Sequence, residues 1–201
     1  MAGPGVTVIA GGGDGQRLER ELEAGSHDAQ LILSSGLAGA LDPELMVGDV
    51  VLDGPESLIE RLKAALPEAR VGPVKGSDFA IGSVAAKAEV WRSGMIAVDM
   101  ESHIARRVAE RHGLPCLVAR VISDRADHEL PPAALAGMKR NGEIALGAVL
   151  LSLVRSPRQL PALIRTGRDA QTALGALGRL HHVLRGGGVT RFDLRELALD
   201  V

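Results

Sequence analysis

Short apolar runs along the chain predict a sheet of buried strands. Each run is rich in aliphatic residues and is bounded by Gly, Pro or Asp, which is typical of strands covered on both faces. The five predicted strands are 6–10, 30–33, 47–52, 95–98 and 117–122.

Segments with helical periodicity lie between these runs. Leu18 and Leu22 are four residues apart in the charged segment 16–24, and 58–66 has the same kind of apolar stripe. Ser57 and Glu60 have the spacing of a capping box, which predicts a helix start there. Segments 85–91 and 102–112 are two further predicted helices. Alternation of buried strands with helices predicts a three-layer α/β/α fold with a mixed central sheet.

The pattern changes after residue 122. A polar loop that contains prolines, "SDRADHELPPAAL", is followed by helical stretches at about 133–154 and 161–185. We therefore predict a main domain over 1–155 and a C-terminal helical extension and tail over 156–201. The helix over 161–185 is basic and amphipathic. It could pack on the domain or on a second subunit, or rest on an anionic membrane surface.

Composition excludes several classes of protein. The net charge is −2 and aromatic residues make up only 1% of the 201 residues, which argues against nucleic acid as a partner. The lone Cys116 excludes an internal disulfide and lies in an apolar run, which favours a small buried residue over a nucleophile. The six histidines include no HxxxH pair, so no metal site is predicted. The start has no secretory signal pattern, which favours a cytoplasmic protein.

Two carboxylates stand where a predicted core strand leads into a helix. Asp99 and Glu101 flank Met100 in "AVDMES", and charge at such a position is costly unless it has a partner. We expect Asp99 to be structural and to pair with an arginine. From the residues alone, Glu101 is either a helix N-terminal acid or a ligand contact, and Asp124 is either a loop cap or a functional acid.

Two glycine-rich segments are candidate ligand sites. The turn "AGGGDGQ" does not satisfy Gly-x-Gly-x-x-Gly in either register, so it is either a tight strand-to-helix turn or a set of backbone amides that faces an anion or a sugar. In "LILSSGLAGA", small residues such as Ser35 and Gly36 follow a predicted strand and would let a ligand approach the backbone.

Three segments in order resemble one family. "SSGLAGALDPELMVGDVV", "AVDMES" and "ISDRAD" are similar to the motifs of the nucleoside phosphorylase and methylthioadenosine/adenosylhomocysteine nucleosidase superfamily. "RVISDRADHELPPAAL" and "SPRQLPALIR" also look like the hopanoid-associated phosphorylases, which are implicated in removing adenine from adenosylhopane. The resemblance implies a nucleoside phosphorylase-like fold, a homo-oligomer and cleavage of a purine nucleoside.

The resemblance assigns roles by position. Asp124 matches the aspartate that gives a proton or a hydrogen bond to purine N7, and Ser123 matches the serine that orients it. Glu101 matches the glutamate that binds the ribose hydroxyls, and Met100 matches the methionine that packs against the sugar. Protonation of N7 makes the base a neutral leaving group, while a carboxylate beside the ribose favours positive charge on the ring.

The base contacts are a looser match. Phe79 in "KGSDFAIG" resembles the phenylalanine that stacks on the base, and the backbone of Ala80 would read the purine edge. The alternatives to an adenosylhopane-cleaving enzyme are a methylthioadenosine/adenosylhomocysteine nucleosidase and a non-catalytic nucleoside-binding protein.

The sequence departs from the family at two places. We expect the family's first strand and its acidic turn to be absent, since "GPGVTVIAGGG" resembles the second strand, and no water-activating base can be named. The positions of the phosphate-binding Arg and Ser are occupied by Ser34 and Leu37, and leucine cannot bind phosphate through its side chain. Ser34 with the amides of Gly12 and Gly13 remains a weak anion site. No cofactor is expected, and phosphate is a possible co-substrate for a phosphorolysis that competes with hydrolysis.

Overall fold

A computed structural model describes residues 5–137, 152 and 154–186. The helices of this part of the chain are α1 (Gly15–Gly25), α2 (Glu56–Ala65), α3 (Val84–Arg92), α4 (Ser102–His112), α5 (Pro132–Gly137) and α6 (Leu160–Gly186). The strands are β1 (Ile32–Ala40), β2 (Val50–Asp53), β3 (Arg70–Val71), β4 (Val74–Gly76), β5 (Ala97–Asp99) and β6 (Cys116–Asp124).

The strands form one mixed six-stranded sheet in the order β3-β2-β6-β1-β5-β4. β1 runs parallel to β6, and its other neighbour, β5, is antiparallel to it. A register shift between Ala38 and Gly39 skips Ser123 in the β1–β6 pairing, so Gly39 pairs with Asp124. A bulge of this kind turns the end of a strand and redirects the side chains there.

Helices cover both faces of the sheet, which confirms the predicted three-layer α/β/α fold. One face packs on α2 and α6, where Leu58, Leu62, Leu180 and Leu184 are almost fully buried. The other face packs on α4 through Ala105, Val108 and Ala109. The apolar side of α6 is therefore part of the core. This agrees with the alternative in which the basic helix packs on the domain.

Most predicted elements are confirmed, with informative differences. Helices α3 and α4 fall on their predicted segments. The predicted strand 6–10 is wrong, because Val6 makes only an isolated bridge and 7–10 belong to no strand or helix of the described chain. The predicted capping box is also wrong, since α2 begins at Glu56 after Pro55 and has no side-chain cap. Most of the predicted helix 133–154 and the tail after residue 186 lie outside the described residues.

Candidate active site

The glycine-rich turn and the carboxylate of Glu101 meet in one cleft. Gly12 and Gly13 have φ values of +61° and +76°, which glycine adopts without strain, and they lead into α1. The side chain of Glu101 lies so close to Gly11 that a Cβ at that position would clash with Oε1. The wall also includes Asp14, Leu18, Asp78, Met100 and Ile104. Two segments that are 90 residues apart in sequence thus form a single cleft.

Asp99 holds the backbone that carries Glu101. Its Oδ1 accepts hydrogen bonds from the backbone N–H groups of Glu101 (2.9 Å) and Ser102 (2.8 Å), at the start of α4. Glu101 occupies the N-cap position but makes no cap hydrogen bond with its side chain. The capping function therefore belongs to Asp99, and the carboxylate of Glu101 is left to face the cleft.

A buried ion pair fixes Asp99 in turn. Oδ2 of Asp99 accepts from Nε of Arg120 in β6, and the exposed fractions of the two side chains are 2% and 1%. Burial raises the pKa of Asp99, but Arg120 and the backbone N–H groups of Ser102 and Glu101 lower it by more, so the net pKa lies below its ordinary value. The expectation that Asp99 is structural and pairs with an arginine is confirmed.

Arg120 also reaches the serine of β1. Its Nη2 donates to Ser34 Oγ at 2.7 Å, so this candidate anion contact is backed by a guanidinium group. Nη1 is buried without a hydrogen-bond partner among the described residues and lies beside Gly36, where a Cβ would come within 3.1 Å of it. Gly36 therefore makes room for the guanidinium group of Arg120, and its role as a ligand contact stays a prediction.

Asp124 stands at the end of β6, on the far side of β1 from Glu101. Its Oδ1 lies 3.0 Å from Ser123 Oγ and its Oδ2 accepts from Lys87 Nζ at 2.5 Å. Gly39 is again the neighbour that makes room, because a Cβ there would be 3.0 Å from Oδ2. Gly39 pairs with Asp124 on one side and with Val98 on the other, so the strand that leads to Glu101 runs about 10 Å from Asp124.

The remaining predicted residues have other surroundings. Asp124 and Ser123 are not among the residues that line the cleft of Glu101 and Met100. Ser35 points to the opposite face of the sheet from Ser34, and its Oγ lies 3.1 Å from Nε2 of His181 in α6. Phe79 is 74% exposed, in a turn that the hydroxyl of Ser77 closes by donating to the carbonyl of Phe79 at 2.7 Å. Phe79 and Ala80 directly follow Asp78, which lines the cleft, but neither is among the lining residues, and their contact with a base stays a prediction.

The family comparison covers the part of the chain that carries most of the candidate residues. Residues 55–155, half of the chain, match the model of a family described as the phosphorylase superfamily. The chain belongs to the phosphorylase superfamily. The matched range contains Glu101, Asp124, Lys87 and Arg120, whereas the glycine turn and Ser34 precede it.

Individual members of the superfamily show how far the likeness extends. A 5'-methylthioadenosine/S-adenosylhomocysteine nucleosidase of Marinomonas sp. (strain MWYL1) is 28% identical, over 52% of this chain and 60% of that protein. The chain thus spans about three fifths of the length of this curated relative.

Solved structures confirm the fold. The corresponding nucleosidase of Campylobacter jejuni has a TM-score of 0.53 at 19% identity, over 69% of this chain and 73% of that one. The Neisseria meningitidis nucleosidase, in complex with methylthio-immucillin-A, has 0.53 at 20% identity, over 72% and 78%. Futalosine hydrolase of Helicobacter pylori has 0.50 at 22% identity, over 55% and 65%. The nucleoside phosphorylase-like fold predicted from the motifs is therefore confirmed.

Two residues of this phosphorylase-superfamily site were not named from the sequence. Arg120 is the single charge in the run "CLVARVI", and a lone cation within a core strand is a signal that a buried anion stands opposite it. Lys87 gives a weaker signal, since a lysine in the short helix "VAAKAEVWR" is usually exposed. Its burial became evident only from the packing of α3 on the loop after β6.

Proposed function

We propose that this chain cleaves the N-glycosidic bond of an adenine nucleoside and releases adenine. The observation that supports it most strongly is the placement of two carboxylates on either side of β1. Glu101 faces the cleft without serving as a helix cap, and Asp124 stands about 10 Å from the strand that leads to it. Membership in the phosphorylase superfamily supports the same reaction class, and so does the similarity to the Marinomonas protein, which is a nucleosidase.

Each carboxylate would act at one end of the substrate. Glu101 would accept hydrogen bonds from the ribose hydroxyls, with Met100 against the sugar, and would stabilise the positive charge that develops on the ring. The base would extend from the cleft toward Gly39, where Asp124, held by Ser123, would donate a proton or a hydrogen bond to N7. Phe79 and Ala80, which follow the cleft residue Asp78 in the chain, would contact the base. This assignment requires the nucleoside to reach beyond the cleft that Glu101 lines.

The nucleophile is phosphate or water. For an anion, the candidate contacts are the amides of Gly12 and Gly13 and the hydroxyl of Ser34. The oxygen of this hydroxyl accepts a hydrogen bond from Arg120. Adenine release measured at zero and at saturating phosphate distinguishes the two: a strict requirement for phosphate indicates phosphorolysis, and full activity without it indicates hydrolysis.

The substrate that we favour is a lipid-linked adenosine of the adenosylhopane type, because "RVISDRADHELPPAAL" and "SPRQLPALIR" look like the hopanoid-associated subgroup. The second candidate is methylthioadenosine or adenosylhomocysteine, which the curated relative's name favours. Competition between adenosylhopane and methylthioadenosine for the same enzyme gives the ratio of the two kcat/KM values. A ratio above one favours adenosylhopane as the substrate, and a ratio below one favours methylthioadenosine.

A lipid-linked substrate makes the outer side of α6 relevant. Leu160 and Ile164 are about half exposed there and lie close in sequence to Arg165 and Arg168. None of the helices in the described part of the chain could span a membrane. We propose a peripheral contact through 161–185, which co-sedimentation with vesicles of anionic lipid tests against vesicles of neutral lipid. We also retain a homo-oligomer and a boundary near residue 155 as proposals.

Replacement of the proposed acid is the decisive test of the reaction. Asp124→Asn keeps the size of the side chain but removes the proton donor, so adenine release should fall by about 10²–10⁴-fold. Asp127→Asn is the matched control, because Asp127 lies three residues away, is 57% exposed and pairs with Arg125. It should retain activity within about twofold. Equal activity of the wild type and Asp124→Asn would exclude the proposed role of Asp124.

A further inference from the structure

We propose that Lys87 is a positioning residue for Asp124: its ammonium group binds Oδ2, so that the proton which the partly exposed Asp124 takes up from solvent and gives to N7 is carried on Oδ1. The inference deepens the proposed function and rests on it. Lys87 itself touches no substrate in this scheme and keeps its proton throughout, so no transfer step is assigned to it.

The surroundings of Lys87 satisfy a charged amine completely. The side chain is 0% exposed, and Nζ donates to Asp124 Oδ2 (2.5 Å), to the carbonyl of Arg125 (2.7 Å) and to the carbonyl of His128 (3.1 Å). An ammonium group has three N–H donors and three acceptors surround it, whereas a neutral amine would leave one acceptor without a partner. The geometry therefore matches the cationic form.

Three contacts together restrain the acid. Lys87 fixes Oδ2, the Ser123 hydroxyl lies beside Oδ1, and Gly39 presents no side chain against which the carboxylate would have to turn. The two carbonyls bound by Lys87 also hold the loop that follows β6, and Leu130 of that loop donates to the carbonyl of Gly82 just before α3. Helix α3 thus serves as a rigid support from which one side chain reaches the end of β6.

Stability alone does not explain a lysine at this position. Burial of a charged lysine costs several kcal/mol of desolvation free energy. A protein in which apolar side chains of similar volume replace a buried ion pair is often as stable as the original. Asp124 remains 13% exposed while Lys87 is completely enclosed, so the pair presents its carboxylate, and not its ammonium group, toward the open side. A cation that orients an accessible acid has this arrangement.

The test compares Lys87→Met with Lys63→Met. Lys63 also donates to two backbone carbonyls, those of Pro67 and Ala69, both at 2.8 Å, but it binds no carboxylate there, so it reports on the loss of a purely structural lysine. Lys87→Met should lower kcat for adenine release by at least about 30-fold with KM within about threefold, and Lys63→Met should leave both within about twofold. In Lys87→Ala, added propylammonium should restore activity at least about fivefold, and propanol of the same size should not.

Loss of folding must not be mistaken for loss of function. Asp124→Asn/Lys87→Met removes both charges, so no uncompensated ion is left buried. Its activity should equal that of Asp124→Asn alone, because Lys87 acts only through Asp124. A further drop of more than about threefold, or unchanged kcat in a folded Lys87→Met, would overturn the inference while the proposed function stands.

A binding measurement separates the inference from the proposed reaction. If the wild type releases no adenine, the proposed reaction fails, and Lys87 is judged by the ratio of the dissociation constants of 7-deazaadenosine and adenosine, since the former lacks N7. A ratio of at least about tenfold in the wild type that falls to about one in Lys87→Met supports the inference. The same ratio in both proteins, or no nucleoside binding at all, overturns it.

Discussion

Two buried ion pairs in this protein use similar chemistry for different ends. Arg120 and Asp99 are both almost fully enclosed in the sheet. The second carboxylate oxygen of Asp99 accepts hydrogen bonds from backbone N–H groups at the start of α4. Lys87 is equally enclosed, but its partner Asp124 is partly open at the end of β6. The first pair thus fixes polypeptide backbone, and the second fixes a carboxylate that a substrate can reach. The depth of the anion, more than that of the cation, distinguishes the structural pair from the candidate functional one.

The largest effect on stability is expected at the enclosed pair. Arg120→Met leaves Asp99 buried without its counter-ion, which should lower the free energy of unfolding by about 3–5 kcal/mol. Urea denaturation followed by circular dichroism measures this loss. Arg106→Met is the control, since its partner Asp53 is 24% exposed, and it should cost less than half as much. A loss below about 1 kcal/mol for Arg120→Met would contradict the inference that the buried Asp99 depends on its enclosed counter-ion.

Glycine replacements next to the two pairs should separate stability from activity. Gly36→Ala places a methyl group about 3.1 Å from the enclosed Arg120, so we expect a loss of about 1–3 kcal/mol in unfolding free energy. Gly39→Ala places it about 3.0 Å from Asp124, which can shift toward its open side. That variant should lose about tenfold in kcat because the acid is displaced, with a smaller loss of stability.

The control for both glycine variants is Gly178→Ala in α6, where a Cβ would meet nothing within 4 Å. It should stabilise the protein slightly, by about 0.5–1 kcal/mol, because alanine favours the helix. If Gly36→Ala and Gly39→Ala changed stability and kcat in the same proportion, the proposed division between the two pairs would be wrong.

Acid should reveal the enclosed pair through its linkage to protonation. The pKa of Asp99 is lowered below the unfolded value of 3.8, so the folded state binds this proton less readily than the unfolded state does. The contribution of Asp99 is therefore complete at pH values well above 3.8, and it is lost as the pH falls below that value toward the folded pKa. Urea denaturation between pH 7 and pH 2.5 should show a shallower acid loss for Asp99→Asn than for the wild type. Parallel curves would contradict it.

The smallest effect is expected at the surface network between α1 and α4. Arg107 and Arg111 lower the pKa of Glu19 to about 2, but all three side chains are partly exposed. Solvent screens such a network, so Glu19→Gln should change the unfolding free energy by at most about 1 kcal/mol, and 1 M salt should reduce the difference further. If Glu19→Gln lowered the unfolding free energy as much as Arg120→Met does, and independently of salt, then burial would not explain the difference between the enclosed pair and the surface network.

The candidate site shows where prediction from the sequence succeeded and where it stopped. The motif around Glu101 and the helix that follows it were predicted at their observed places, because the local periodicity of apolar residues indicates where the strand ends and the helix begins. The predicted strand 6–10 is wrong. The segment "SSGLAGA", whose first residues were interpreted as the end of a strand, makes up most of β1 and continues to its last residue. Small side chains usually indicate a turn, but here Gly36 and Gly39 make room for Arg120 and Asp124 from the neighbouring strand.

The sequence by itself determined the layered fold, the superfamily and the two candidate carboxylates, since periodicity and motif order are properties of neighbouring residues. Only the tertiary structure decided which cation neutralises which acid, because Lys87 and Asp124 are 37 residues apart, and Asp99 and Arg120 are 21 apart. It also placed Ser35 and Ser34 on opposite faces of the sheet, because both lie inside β1, where successive side chains alternate between the two faces. Contacts between distant elements depend on how strands pair and helices pack, and no local pattern encodes that choice.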